Sequence, residues 1–265
     1  MTFERISEEL REKAGDDAQA FSFYLFDRPL YDAARDRSDA GDALCEKYGE
    51  CLERYLSGEP LQYIFGYTPF YDLLINCRPG VLIPRYDTET LVEEAVKTLP
   101  SGALFCDMCC GSGCIAAAVL KHRPDTRAVC CDISDTALEL TRENLLKYGL
   151  EDRAEIIRFD VFGDWSVLPR VDAILCNPPY INAADMEKLP ENVRREPREA
   201  LYGGVDGLDF YRRVIKASDG VFRGTAHIIF EIGYDQGAAL KRLSPYDCEI
   251  KKDLSGNDRV CILRG

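Results

Sequence analysis

Four consecutive residues, Asn177-Pro178-Pro179-Tyr180, close an apolar run, AILC, that reads as a buried strand. An asparagine side chain carries one acceptor oxygen and two donor hydrogens. Pro178 precedes another proline and is held extended. That turns its carbonyl outward, and the Pro179 nitrogen has no proton to compete. The stretch therefore offers two fixed acceptors, the Asn177 side-chain oxygen and the Pro178 carbonyl, with the flat ring of Tyr180 beside them. Two acceptors hold the two hydrogens of an NH2 group. On an amide or aniline-like nitrogen, whose lone pair is delocalised, that grip draws the nitrogen toward tetrahedral geometry and aims the lone pair at an incoming methyl group. Such catalysis is positioning and electrostatics. It needs no base of shifted pKa, and the chain has only two histidines. Asn177, Pro178 and Tyr180 are the expected catalytic residues, with Pro179 completing a substrate pocket.

The same four residues would also serve as a strand terminator with a capping Asn. A second motif argues against that bland use. Asp107 to Gly113 reads DMCCGSG, at the end of a strand-like run and before a helix. Glycines there allow close approach of backbone to a ligand, and in an open α/β sheet ligands sit outside the carboxyl ends of the strands. The next strand ends in Asp132, whose carboxylate suits the two hydroxyls of a ribose. The spacing fits a dinucleotide or S-adenosylmethionine alike. Ala116 stands where the third glycine of a dinucleotide loop would be, which that motif tolerates, and Cys109 where an earlier one would be.

The elements that would position these groups follow from periodicity. Residues 1–57 read as a helical domain; DALCEKYGECLERYLSG has apolar positions three and four apart. Residues 58–86, aromatic, β-branched and punctuated by Gly and Pro, read as a hairpin linker. From residue 87 onward short apolar runs alternate with helical segments, the pattern of a parallel sheet covered on both faces. The last two runs are separated by only GND, too little for a crossover, so they form a hairpin and one strand is antiparallel. Seven strands ending in that hairpin resemble the class I methyltransferase arrangement. The fold class expected is α/β, a Rossmann-like sheet with a small helical domain before it. The strand that ends at Asn177 is the fourth in the sheet, so Asn177 should face the loop 107–113 at the switch point.

The net charge of −13 repels phosphate backbones and makes nucleic acid a disfavoured partner. Met1 to Leu10 has no apolar leader, and no apolar run approaches the roughly 18 residues of a membrane span. A reducing cytoplasm is expected, with the twelve cysteines as free thiols. Cys106, Cys130 and Cys131 lie in strand-like runs as small buried hydrophobes, and no metal site is expected.

With these residues in view, the chain resembles the PrmC/HemK family. The resemblance rests on NPPY with CDMCCGSGCIA, and on GEPLQYIFG, PGVLIPRYDTETLVE, REPREALYGGVDGLDFYRRVI, EIGYDQ and DLSGNDRV. It covers residues 58–265 strongly and 1–57 weakly. It implies transfer of methyl from S-adenosylmethionine to the side-chain amide nitrogen (N5) of the glutamine in the Gly-Gly-Gln motif of class-1 peptide release factors, leaving S-adenosylhomocysteine. By position, the cofactor site falls on Asp107, Cys109, Cys110, Gly111, Ser112, Gly113 and Asp132. Asp160, or the adjoining Val161 and Phe162, would flank the adenine, a looser match, and Asn177 would touch both cofactor and glutamine. Phe70, Arg85 and Thr88 resemble the family's lid over the cofactor. Glu196, Pro197, Gly203, Gly204 and Asp206 belong to a shaped loop that closes on the substrate.

Three departures stand out. Cys109 replaces a usual glycine, and if that position needs positive φ it carries about 1 kcal/mol of strain. Asp87 stands for Glu in the family's PETE, and Asp72 for a common glycine. Two other readings use the same residues: methylation of an exocyclic amine in DNA or RNA, with Tyr180 stacked on a flipped base, and a non-catalytic binding module.

Overall fold

Strands rich in Val, Ile, Leu, Phe and Cys with no polar alternation have no wet face, so they must be covered on both sides. The computed structural model describes residues 1–265 and contains nine strands. These are β1 (Tyr67–Phe70), β2 (Leu73–Asn76), β3 (Leu104–Met108), β4 (Arg127–Asp132), β5 (Ala154–Arg158), β6 (Ala173–Cys176), β7 (His227–Glu231), β8 (Asp247–Lys252) and β9 (Asp258–Arg264). Seven form one sheet in the order β5-β4-β3-β6-β7-β9-β8. β3 to β7 run parallel, and β9 is antiparallel to both β7 and β8. The chain steps outward from β3 to β5, then returns to place β6 against the other side of β3. That reversal is the switch point at which α/β sheets bind ligands.

One face of the sheet packs against the helices Glu89–Thr98 and Cys114–His122, with Leu91, Val92, Ile115, Ala118 and Val119 in a single core. The other face packs against Asp209–Ala217 and Gly237–Leu243 through Tyr211, Val214 and Leu240. All twelve cysteines are free, and Cys106, Cys130 and Cys131 are wholly buried in these cores. No helix is long and apolar enough to cross a membrane.

Two units divide the chain: Met1–Gly66 with Glu191–Arg195, and Tyr67–Pro190 with Glu196–Gly265. In the smaller, the helix Asp42–Leu56 buries Tyr48, Cys51 and Leu52 against Ile6, Leu10 and Phe21 of two earlier helices. Thr2 caps the first of these, accepting from the Arg5 N–H at 3.3 Å. The stretch QYIF, expected to begin the hairpin, is helical instead. Pro60 precedes the short helix Leu61–Phe65, and Leu61 and Ile64 are drawn into the helical core. Gly66, at φ 81°, ends it.

The hairpin proper is β1–β2, paired Tyr67 to Asn76 and Phe70 to Leu73. In its two-residue turn the positive φ, 56°, falls on Tyr71 rather than on Asp72. Asp72 therefore needs no glycine-like backbone and carries no strain of that kind, and it pairs with Lys121 at 2.9 Å.

Candidate active site

β3 ends where the chain must turn sharply into the helix Cys114–His122. The turn is braced from within: Cys110 N–H donates to the Cys131 carbonyl at 3.0 Å, and Gly111 N–H to Asp132 Oδ2 at 2.9 Å. Gly113 caps the helix at φ 74°, and a Cβ there would lie 2.8 Å from Thr141 Cγ2, so only glycine fits. Cys109 holds φ 62°, in the left-handed region. The bracing bonds are all within the protein, so the strain of Cys109 is a cost to the fold. Cys109→Gly is expected to raise stability by about 1 kcal/mol, which for a chain of this size moves Tm up by about 2–4 °C. Thermal unfolding of the two proteins checks this; an unchanged or lower Tm goes against it.

A cavity of about 660 Å³ opens beside this turn, within the size range of small-molecule sites. Cys109, Cys110, Gly111 and Ser112 line one wall, and Asp132 and Ser134 the next. Asp160, Val161 and Phe162 form a third, where Phe162 meets Phe210 edge to face at 5.1 Å. Asn177, Pro179, Arg85 and Thr88 also line the cavity, as do Pro197 and Tyr202 of the loop that follows. The structure thus brings together most of the residues singled out from sequence. It sets others apart. Phe70 is buried in the core beneath the hairpin rather than on the cavity wall. Asp107 and Gly113 lie behind the turn, and Pro178 and Tyr180 beside Asn177 but off the lining.

Asp132 has one carboxylate oxygen on Gly111 N–H and the other on Ser134 N–H, at 2.9 and 3.0 Å. A carboxylate offers about four lone-pair sites, so acceptor capacity remains for two hydroxyls. Asp107 differs: Oδ2 accepts the Ala116 N–H at 3.0 Å and Oδ1 has no partner. Burial pushes its carboxyl up to about 7, against the pull of Ala116 N–H and with a smaller push from Asp132. The folded protein thus keeps a proton that the unfolded chain, with an ordinary Asp near pKa 3.9, has lost. Stability from this group falls as pH rises from about 4 to about 7. Asp107→Asn keeps the acceptor for Ala116 and removes that fall. Denaturant melts should show the variant gaining on the parent between pH 5 and pH 8; a constant difference across that range contradicts the account.

Behind the cavity the Asn177 amide is held by a buried chain of polar contacts. Asn177 Nδ2 donates to Thr88 Oγ1 at 3.3 Å, and Thr88 donates to Glu231 Oε2 at 2.5 Å. The Tyr180 hydroxyl donates to Glu231 Oε1 at 3.1 Å. Burial pushes the Glu231 carboxyl up, while Thr88, Tyr180 and Arg259 pull it down. Burial, with Glu231 adding to it, pushes the Tyr180 phenol well up, so it stays a donor. No hydrogen bond within the protein is directed to the Pro178 carbonyl. Arg259 in turn pairs with Asp87 at 3.1 Å and Asp253 at 3.2 Å. The sequence blocks YDT, EIG and DLSGNDR therefore converge behind NPPY.

The loop that follows is clamped onto the tetrapeptide. Ile181 N–H donates to the Leu201 carbonyl and Gly203 N–H to the Ile181 carbonyl, both at 2.9 Å. Gln236 Nε2 donates to the carbonyls of Tyr180 at 3.0 Å and Gly207 at 3.2 Å. Glu196, buried, accepts from Ile83 N–H at 2.9 Å and pairs with Arg85. Sequence reasoning assigned no role to Glu231 or Gln236. The signal was present in IIFEIG, a carboxylate at the end of a wholly apolar strand.

Residues 86–203 match the model of the methyltransferase small domain. A release factor glutamine methyltransferase from Clostridium botulinum is 40% identical over 83% of this chain and 80% of its own length. This chain belongs to the release factor glutamine methyltransferase family. Another member, from Moorella thermoacetica, is 38% identical over 87% of this chain and 83% of its own. Among solved structures, a methyltransferase from Pyrococcus furiosus matches the fold with a TM-score of 0.55 at 14% identity, over 74% of this chain and 89% of that one. The ribosomal protein L11 methylase from Lactobacillus delbrueckii does so at 0.51 and 19%, over 75% and 90%. The fold is that of the class I methyltransferases, and the chain is a methyltransferase.

Proposed function

We propose that this enzyme transfers a methyl group from S-adenosylmethionine to the side-chain amide nitrogen of the glutamine in the Gly-Gly-Gln motif of class-1 peptide release factors. The observation that carries the reading is the fixed Asn177 amide, whose NH2 is committed to Thr88 and whose oxygen is left as an acceptor beside the cavity. The cavity suits the cofactor by its chemistry. Asp132 would take the ribose hydroxyls, Asp160 to Phe162 the adenine, and the turn 109–112 the remainder, with Arg85 and Thr88 above it. When bound, S-adenosylmethionine supplies an electrophilic methyl group.

The protein's part is orientation. The Asn177 oxygen and the Pro178 carbonyl accept the two hydrogens of the glutamine amide and turn its lone pair toward the methyl. The Tyr180 ring, tied back through its hydroxyl, gives the planar amide a flat wall. Neither histidine lines the cavity, in keeping with a reaction that draws no proton off before transfer. The names of the relatives favour a protein glutamine over a nucleic-acid base, and the net charge of −13 disfavours binding to a phosphate backbone.

Incubation with S-adenosylmethionine and a purified class-1 release factor, followed by mass spectrometry of the Gly-Gly-Gln peptide, tests the proposal. One added methyl on the glutamine, absent from a Gly-Gly-Ala factor, is the expected result. An unmodified peptide, under conditions where an active family member modifies it, overturns the proposal.

A further inference from the structure

We propose that Glu231 is a positioning residue that sets which way round the Asn177 amide stands, acting through Thr88; this rests on the function proposed above. A planar amide can be turned over with little change of shape, but its two ends are chemically opposite. Oxygen toward the substrate accepts from an NH2 group; nitrogen toward it presents donor to donor. Something must choose between them. Asn177 touches the fold at its Nδ2 end through Thr88 Oγ1, 3.3 Å away. A hydroxyl has a single proton. Here that proton goes to Glu231 Oε2 at 2.5 Å, while the other oxygen of the same carboxyl accepts from Tyr180, so both act as acceptors. Thr88 therefore has only lone pairs left for Asn177, and Asn177 must answer with its NH2. The acceptor character of Glu231 passes through one hydroxyl and emerges as acceptor character at the Asn177 oxygen.

The surroundings hold this direction. Glu231 and Thr88 are 1% and 2% exposed, so water is not there to substitute. The second oxygen of Glu231 is occupied by the Tyr180 hydroxyl at 3.1 Å, which binds both sides of the substrate pocket to one carboxylate. The carboxylate itself is placed by β7, the strand next to β6, where Cys176 pairs with Phe230. Glutamine at position 231 would keep the size and bring a donor. Its NH2 could satisfy Thr88, whose proton would then be free to meet the Asn177 oxygen and turn the amide over.

The test is a cycle of four proteins: parent, Glu231→Gln, Asn177→Ala and the double variant, assayed for methylation of a purified release factor, with cofactor affinity measured separately by calorimetry. Glu231→Gln is expected to lower kcat by about 30-fold, less than full loss of the acceptor would, with cofactor Kd within about twofold. In the Asn177→Ala background it should lower the residual rate no further, because the group it acts through is gone. Equal loss in both backgrounds marks a purely structural role and overturns the proposal, as does an unchanged kcat. Should Glu231→Gln fold poorly, Thr88→Val breaks the same chain without a charge change, and the same non-additivity is expected. Side-chain amide NMR gives a readout independent of the reaction: the Asn177 NH2 should show contact to the Thr88 methyl in the parent and lose it in Glu231→Gln. That contact in a protein that methylates no release factor would sink the proposed function and spare the relay; its absence in an active parent would sink the relay alone.

Discussion

Asn177→Ala should lower kcat for release-factor methylation by about 10²–10³, the loss typical of removing one preorganised polar group aimed at a reacting centre. The side chain lies on the cavity wall and its departure leaves the sheet intact, since β6 ends one residue earlier. KM for the cofactor should change little, because most of the proposed cofactor site is assigned to the turn 109–112 and Asp132. The loss should thus appear in kcat and kcat/KM together, the signature of an interaction used in the transition state. Steady-state rates with a release factor, alongside cofactor calorimetry, make the comparison. Full methyl transfer by Asn177→Ala would remove the acceptor mechanism altogether.

Gly203→Ala should be nearly as damaging without touching any reacting group. A Cβ on residue 203 would stand 2.6 Å from the Pro179 carbonyl oxygen and 2.7 Å from Tyr180 Cα. These are backbone atoms of the proposed catalytic stretch, and they cannot swing aside as a side chain does. The conflict is relieved only by parting the 201–207 loop from NPPYI, which displaces the acceptors themselves. A shift of about 1 Å in such a pair costs about 100-fold in rate, and overpacking of this kind removes about 1–3 kcal/mol of stability. Rate assays at a temperature well below the variant's Tm separate the two effects. Parental kcat there would show that the loop does not set the tetrapeptide's position.

What could be read in advance, and what could not, divides by distance along the chain. The strands ending in Met108, Asp132 and Cys176 are local apolar runs, and their alternation with helices declares a covered parallel sheet. The turn 109–113 and the NPPY stretch are contiguous, so the sequence shows their chemistry whole. Glu231 and Thr88 meet across 143 residues of chain, and nothing near either names the other. Phe70 and the QYIF segment misled for a related reason. Both are apolar and aromatic, and such residues take whichever core is at hand: Phe70 went under the hairpin, and Leu61 and Ile64 into the helical unit. Cys109 is the reverse case, where one unusual residue at a glycine position announced the backbone angle before the angle was seen.

The discontinuity of the helical unit has a consequence for how the chain acquires its shape during synthesis. Residues 191–195 belong with Met1–Gly66, and Arg195 donates to the Ser57 carbonyl at 2.6 Å. When Gly66 leaves the ribosome, that unit still lacks a piece that is encoded about 125 residues later. At about 5–20 residues per second, the wait is about 6–25 s. During it β1 to β6 are made, including both strands of the switch point and Asn177 itself. The part of the protein encoded first is thus left open until six strands of the other unit have been made. A gene fragment cut at codon 66 specifies an unfinished object, whereas a circularly permuted gene that begins near residue 191 would deliver the last piece of the helical unit ahead of the catalytic sheet.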